Sequence, residues 1–217
     1  MSVTGFKRKV RYLSVSILAL MGGAVVAADN MQSFVDLTNG IKTYQATFEQ
    51  KITDQFGTVK DSSKGRFLIK KPYQFTWETL EPYQQLIVSN GEELWTFDRD
   101  LDQVNIQTLN KAVGNTPVFL LEADSDTLAK TFSVKQLVSG SEQAATFELL
   151  PKEQGYSFER MIVQFKEQQL VELLLQDTLG QKTIVSFSEV LVNQELSDQQ
   201  FNFVIPDDVD VVDSREQ

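Results

Sequence analysis

The chain contains neither cysteine nor histidine among its 217 residues. Their absence excludes disulfides, thiolate nucleophiles, a Ser–His–Asp triad and every metal site that needs a thiolate or an imidazole ligand. Only carboxylates, lysine, tyrosine and hydroxyl groups are left for catalysis. The lack of cysteine does not fix the compartment, because an oxidising space permits disulfides without requiring them.

The N-terminal segment has the three-part layout of a secretory signal peptide. Four basic residues and no acid lie in residues 1–11, and the apolar run YLSVSILALMGGAVV follows over residues 12–26. Ala27 and Ala28 are small enough for cleavage before Asp29. Because this run of 15 residues is shorter than the roughly 20 that a spanning helix needs, we interpret residues 1–28 as a signal peptide rather than a membrane anchor. No cysteine is present for lipidation, so we expect a soluble exported protein.

The remaining residues, 29–217, have the length of one domain. They hold 16 basic and 30 acidic side chains, a net charge of −14. Nucleic-acid binding needs a basic patch, and an anionic membrane surface repels an acidic chain. The charge therefore predicts no nucleic-acid partner, and its simplest explanation is solubility.

Hydrophobic periodicity changes from helical to strand-like near residue 42. Residues 29–42 place apolar side chains on one helical face, and Asn39–Gly40 is a typical helix end. Asn90–Gly91 is a strong hairpin signal. From period-2 alternation we predict about ten or eleven strands, drawn from residues 43–52, 66–70, 73–79, 85–89, 92–97, 104–106, 131–137, 146–150, 158–166, 170–176, 182–192 and 201–205.

A second, short apolar helix is predicted after Thr116 and Pro117, which are favoured N-cap and first-turn residues. Two helices are little cover for the apolar face of so large an antiparallel sheet, and a sheet of about ten strands curls as it twists. The expected fold is therefore mainly β (α+β), a strongly curved half-barrel whose mouth is plugged by helices. Such mouths hold ligands, although a tightly closed barrel can fill its interior with its own side chains.

The stretch RFLIKKPYQFTWE, residues 66–78, carries an aromatic face. Tyr73, Phe75 and Trp77 alternate with polar residues, and Trp95 and Phe97 repeat the pattern. Alternation alone favours a packed core over the wall of a ligand cavity, because aromatic side chains usually bury themselves.

Lys70 and Lys71 precede Pro72, which breaks a strand or restricts it to an edge. The spacing favours solvated lysines that discourage edge pairing. The alternative is that one of them donates to the free carbonyls at a helix C-terminus and holds a lid.

Acidic pairs offer no catalytic site. Glu92 and Glu93 point to opposite faces of a strand. Asp98, Asp100 and Asp102 lack the glycine and closing glutamate of an EF-hand loop. The sequence predicts neither a metal nor a cofactor, and it gives no support to a carboxylate-based hydrolase.

Four segments together resemble the LolA family of periplasmic carriers of outer-membrane lipoproteins. They are GRFLIKKPYQFTWE, YQQLIVSNGEELWTFDRDLDQV, GNTPVFLL and FNFVIPDDVDVV, in this order over most of residues 29–217. The resemblance implies an unclosed antiparallel barrel with a helical lid, an apolar interior and no enzymatic activity.

The resemblance also implies residue roles. The family's acyl-chain cavity corresponds to Phe67, Ile69, Phe75, Trp77, Trp95 and Phe119. A basic residue before the strand proline, here Lys71 instead of the frequent arginine, bonds lid backbone and holds the closed form. Lid contacts correspond to Thr38 and Leu121, and Thr38 is polar where a leucine can be found.

The implied partners are acylated lipoproteins, an ATP-driven inner-membrane complex that releases them and an outer-membrane receptor that accepts them. We expect a monomer in the periplasm. The alternative is a lipid- or lipoprotein-sensing domain with the same half-barrel, which normally comes joined to a second module.

Overall fold

The computed structural model describes residues 22–109, 120–121, 125–141 and 144–215. Helix α1 spans Gly22–Asn39, helix α2 spans Ser125–Thr131, and a short 3-10 helix spans Asp198–Phe201. The strands are β1 (Thr43–Thr53), β2 (Val59–Lys70), β3 (Gln74–Glu81), β4 (Gln85–Asn90), β5 (Glu93–Asp98), β6 (Gln103–Thr108), β7 (Phe132–Ser141), β8 (Ala144–Pro151), β9 (Arg160–Lys166), β10 (Gln169–Gln176), β11 (Lys182–Val192) and β12 (Asp210–Asp213).

All twelve strands form one unclosed, curved sheet, in the order β12-β6-β5-β4-β3-β2-β1-β11-β10-β9-β8-β7. Every pair is antiparallel except β12 and β6, which run parallel. The short connections explain this topology, because hairpins join neighbouring antiparallel strands. The predicted mainly-β half-barrel is confirmed, and the described residues form twelve strands where ten or eleven were predicted.

Helix α1 ends where the sequence predicts. Gly40 N–H donates to Asp36 O at 3.3 Å, and Ile41 N–H donates to Thr38 O at 3.2 Å. Phe34 and Thr38 lie one turn apart on α1 and are buried, and Ile41, just past the end of the helix, is buried as well. The periodic apolar stripe therefore fixes which side of α1 packs on the sheet.

Pro72 marks a break, as expected. Strand β2 ends at Lys70, strand β3 begins at Gln74, and the residues between them form a turn. Proline lacks the N–H that a continuous ladder would use.

The prediction of a strand over residues 201–205 is wrong. Ser197 accepts from the backbone of the first turn and Gln200 bonds back to the Ser197 N–H at 3.0 Å, so a capping box starts a 3-10 helix there. These reciprocal bonds satisfy free donors and outweigh the alternation around Phe201. Strand β12, which is short and exposed, was not predicted.

The sheet has two apolar clusters. The larger one lies on the face against which α1 packs, here called the inner face, and contains the buried side chains of α1, α2 and most strands. The smaller one contains Val88, Trp95, Val104 and Ile106, with Phe203 packed against it. Phe203 and Val209 of residues 194–215, here called the C-terminal segment, pack against this second cluster on the outer face. The expectation of a sheet with a single apolar face is therefore wrong for β4–β6.

Within residues 22–109, 120–121, 125–141 and 144–215, no helix is long and apolar enough to cross a bilayer.

Candidate functional site

The inner faces of β2 and β3 carry four of the predicted cavity residues. Phe67 pairs with Trp77 and Ile69 pairs with Phe75 across the two strands, so all four share one face. Phe67, Ile69 and Phe75 are buried, and Trp77 is partly buried against them. Period-2 alternation places them there, because residues i and i+2 of a strand point the same way.

Several aromatic rings pack against one another on this face. Trp77 stacks on Phe48 with ring centroids 4.0 Å apart and 29° between the planes. Phe67 lies 5.1 Å from Trp77 and 5.7 Å from Phe187. Offset ring contacts of this kind add to the free energy of burial.

Gly65 makes room for this stack. A β-carbon at this position would lie 1.9 Å from Glu78 O and 2.7 Å from the Phe48 ring. Any larger side chain would push Phe48 off the sheet or separate β2 from β3. Sequence reasoning missed this glycine, because no turn signal accompanies it.

The helices pack against the inner face mainly at β7–β9. Phe34 of α1 lies 5.3 Å from Phe147 and 6.1 Å from Phe165, both in edge-to-face geometry. Leu121 and Leu128 are buried in the same cluster. The helical residues thus occupy this part of the inner face with their own side chains and share one apolar cluster with Phe67 and Phe75.

Lys71 ties α1 to the sheet. Its Nζ donates to the backbone carbonyl of Thr38 at 3.0 Å, in the last turn of α1. Carbonyls at a helix C-terminus lack intrahelical partners and carry partial negative charge, so they attract a cation. Spacing alone had favoured a solvated Lys71, and this interpretation is wrong.

Thr38 is buried although it is polar. Its hydroxyl donates to Val35 O at 3.1 Å within the helix, which satisfies the group without a partner on the sheet. The polar residue therefore fits the position in this chain.

Asn193 is a further clamp at the same end of α1. Its Oδ1 accepts from Lys42 N–H at 2.8 Å, and its Nδ2 donates to Gly40 O at 2.9 Å. Asn193 has a positive φ of 59°, which asparagine tolerates better than most residues. No pattern around residue 193 pointed to this contact, because its partners lie about 150 positions away.

Trp95 does not belong to the inner face, and the expectation that it lines the same cavity as Trp77 is wrong. It pairs with Val88, which pairs with Thr76, and Thr76 points away from its neighbours Phe75 and Trp77. Trp95 packs instead with Phe203 on the outer face, with ring centroids 6.3 Å apart. Alternation predicted strand β5 correctly. It does not show which residues of β5 lie on the same side of the sheet as Phe75 and Trp77 of β3.

Lys70 binds the C-terminal segment on the outer face. Its Nζ donates to Leu196 O at 3.1 Å and forms an ion pair with Asp198. Thr76 adds a hydrogen bond to Gln200 O at 2.8 Å. The two adjacent lysines therefore hold different parts of the chain, Lys71 the lid helix and Lys70 the C-terminal segment.

Phe119, together with Thr116 and Pro117, lies outside the described residues. Leu121 is helical and buried, as a lid contact requires.

A groove of about 430 Å³ opens beside the lid. Its lining comes from α1, α2 and β7 and includes Met31, Ala129, Phe132 and Val134. The groove lies where the two helices meet the sheet edge.

Charged groups play little part in this interior. Tyr44 is the largest polar side chain there; its hydroxyl donates to Leu170 O at 2.8 Å, and burial raises its pKa far above the ordinary value. No cluster of acidic residues suited to a metal ion occurs in the described ranges. The site is thus an apolar inner face that shares one cluster with a tethered helix, and its chemistry suits apolar groups rather than ions.

Comparisons with known proteins agree with this class. The model of the family described as "Outer membrane lipoprotein carrier protein LolA" matches residues 39–204. The chain is 35% identical to an outer-membrane lipoprotein carrier protein of Hahella chejuensis over 199 residues, 91% of this chain and 95% of the relative. It is 34% identical to the one of Pseudomonas aeruginosa over 208 residues, 94% of this chain and 99% of the relative. The chain belongs to the LolA family of outer-membrane lipoprotein carrier proteins.

A solved structure supports the fold. An uncharacterised conserved protein of Thermus thermophilus superposes with a TM-score of 0.55 at 16% identity, covering 86% of this chain and 98% of that one.

Proposed function

We propose that this protein is a periplasmic carrier for the acyl chains of lipoproteins. It takes the lipoprotein from an ATP-driven inner-membrane complex, shields the acyl chains and delivers them to an outer-membrane receptor. The observation that carries the proposal is the aromatic inner face around Phe75, which belongs to the same apolar cluster as α1, the helix that Lys71 bonds at its end. Membership of the carrier family supports the same function.

The energetics favour shielding followed by release. Each methylene removed from water contributes about 0.8 kcal/mol, so a free triacylated protein would not cross an aqueous space. In the closed form, Phe34 and Leu121 cover the inner face. Acyl chains would replace these contacts rather than fill a void, so the net affinity stays small enough for transfer.

The proposed cavity wall consists of Phe67, Ile69, Phe75 and Trp77, with Phe119 as an expected contributor from the lid. The proposed latch is Lys71 with the Thr38 carbonyl, and Leu121 is the proposed apolar contact of the lid. Trp95 is left out because it lies on the outer face.

Further proposals concern export, processing and oligomeric state. We expect export, cleavage before Asp29 and a monomer in the periplasm. Helix α1 begins at Gly22 in the described residues. After the proposed cleavage it would begin near residue 29. Binding and transport need no catalytic residue, and we propose neither enzymatic activity nor a cofactor.

The test is native mass spectrometry of the exported protein purified from periplasm. An acylated lipoprotein bound to the wild type is the expected result. Phe75→Glu should abolish the complex, because a carboxylate would be buried among acyl chains. Gln45→Glu is the matched control, since it adds the same charge at an exposed position of β1. Complex formation by Phe75→Glu at the wild-type level would refute the cavity.

A further inference from the structure

One end of the sheet carries exposed apolar side chains on its turns. The turns β1–β2, β3–β4, β5–β6 and β10–β11 lie at the end of β1 that is distant from α1. Their most exposed apolar residues are Phe56 (85%), Tyr83 (72%), Leu101 (68%) and Leu179 (79%). We call these four residues the distal rim. By contrast, the β4–β5 and β9–β10 turns at the other end contain Asn90–Glu92 and Glu167–Gln168.

Two neighbouring turns of the distal rim, β1–β2 and β10–β11, have the same architecture. Asp54 Oδ1 accepts from the amides two and four residues later at 3.0 and 2.9 Å. Asp177 Oδ1 does the same at 2.9 and 2.8 Å. Each turn also has a glycine with positive φ, Gly57 at 83° and Gly180 at 79°. Both turns therefore present the residue before the glycine, Phe56 or Leu179, outward in a fixed conformation.

The tips of these two hairpins touch. A β-carbon on Gly180 would lie 3.1 Å from the β-carbon of Gln55. Phe56 and Leu179 consequently project from one small surface. Because hydrogen bonds hold both backbones, little conformational freedom is left to lose on contact with a partner.

The charges of this surface cancel. Residues 51–61 and 176–183 contain three lysines (Lys51, Lys60, Lys182) and three aspartates, in a chain whose net charge is −10. Lys60 pairs with Asp54 at 3.0 Å. The hydrogen bond from the Thr58 amide lowers the pKa of Asp54, and the hydrogen bond from Lys60 lowers it further. The carboxylate therefore stays ionised and keeps its hydrogen bonds within the turn. The repulsion that keeps an acidic chain from membranes is therefore small at these two hairpins.

We propose that the distal rim, through Phe56 and Leu179, is a docking site for the interfacial layer of a zwitterionic phospholipid bilayer. Aromatic and aliphatic side chains partition into this layer, and neighbouring lysines can reach lipid phosphates. A protein partner would need a complementary surface of about 800 Å², whereas two convex tips are enough for shallow, reversible insertion into lipid. The inference does not depend on the acyl cavity.

The experiment uses sedimentation of exported, purified protein with phosphatidylcholine vesicles, the N-terminus having been established by mass spectrometry. The double variant Phe56→Ser/Leu179→Ser should lower the vesicle-bound fraction by at least about tenfold. Leu191→Ser is the matched control. Leu191 is an apolar residue of β11, 49% exposed, near the opposite end of the sheet. We expect this variant to bind vesicles like the wild type.

A second readout follows insertion directly. In Phe56→Trp, addition of vesicles should shift the emission to the blue, and lipids with a quencher near the headgroup should reduce its intensity. The proposal is overturned if the wild type does not bind vesicles, or if the double variant binds equally well. Binding only to vesicles that contain a membrane protein would overturn it in favour of a protein partner.

Discussion

The ammonium group of Lys71 donates to the carbonyl oxygen of Thr38 at 3.0 Å, joining the turn after β2 to the last turn of α1. The two residues are 33 positions apart in the chain. A hydrogen bond from a charged donor typically contributes about 1.5–3 kcal/mol, so this contact favours the packing of α1 on the sheet. The adjacent Lys70 bonds the C-terminal segment instead.

Replacing Lys71 by leucine should open the lid. The change removes the donor to Thr38 while keeping an apolar stem, so the amides of α1 should exchange with deuterium about tenfold faster or more. Mass spectrometry of peptides covering residues 30–42 measures this exchange. Lys70→Leu is the matched control and should accelerate exchange in residues 194–203 instead. Equal exchange of α1 in wild type and Lys71→Leu would refute the latch.

The two tryptophans should report different events. Trp77 lies on the inner face and Trp95 on the outer face, and the chain has no other tryptophan. In Trp95→Phe, addition of a triacylated lipopeptide should change the emission of Trp77, because the ligand replaces its neighbours. In Trp77→Phe, the emission of Trp95 should stay constant under the same titration. An equal response from both variants would contradict the separation of the two faces.

Gly65 should tolerate no side chain. Gly65→Val places atoms on Glu78 O and on the Phe48 ring, and we expect a loss of about 3 kcal/mol or more in the free energy of unfolding. Urea denaturation followed by circular dichroism measures it. Gly40→Ala is the control, since its β-carbon would meet only ordinary contacts at 3.6 Å and beyond. A Gly65→Val protein as stable as Gly40→Ala would disprove the packing argument.

Tyr44 should make stability sensitive to alkaline pH. Its pKa is raised by burial above the ordinary value of 10.0, so its contribution to stability is complete below pH 10 and is lost as the pH rises further. Tyr44→Phe should cost about 0.5–1.5 kcal/mol at neutral pH through the lost bond to Leu170 O. Above pH 10 its unfolding free energy should fall less steeply than that of the wild type.

Urea titrations at several pH values measure these slopes. Tyr83→Phe, at an exposed position, should behave like the wild type throughout. Identical slopes for Tyr44→Phe and wild type would show that the buried hydroxyl does not set the alkaline limit.

Local patterns predicted most of the elements. The end of α1 at Asn39, the break at Pro72 and most strands were predictable, because helix caps, proline and period-2 alternation act over a few residues. The same reasoning failed at residues 201–205, where the capping box from Ser197 to Gln200 outweighs alternation. Strand β12 was missed because four exposed residues carry no burial pattern.

The sequence by itself determined a mainly-β domain, an apolar aromatic face around Phe75 and Trp77, and membership of a carrier family. These depend on composition, on alternation within one strand and on ordered motifs, all of which are read along the chain. Only the tertiary structure decided that Trp95 faces away from Trp77, that Lys71 reaches Thr38 and that Asn193 clamps the helix to the sheet. The physical reason is that register and curvature are set by pairing between strands, and long-range pairing leaves no trace in a local pattern.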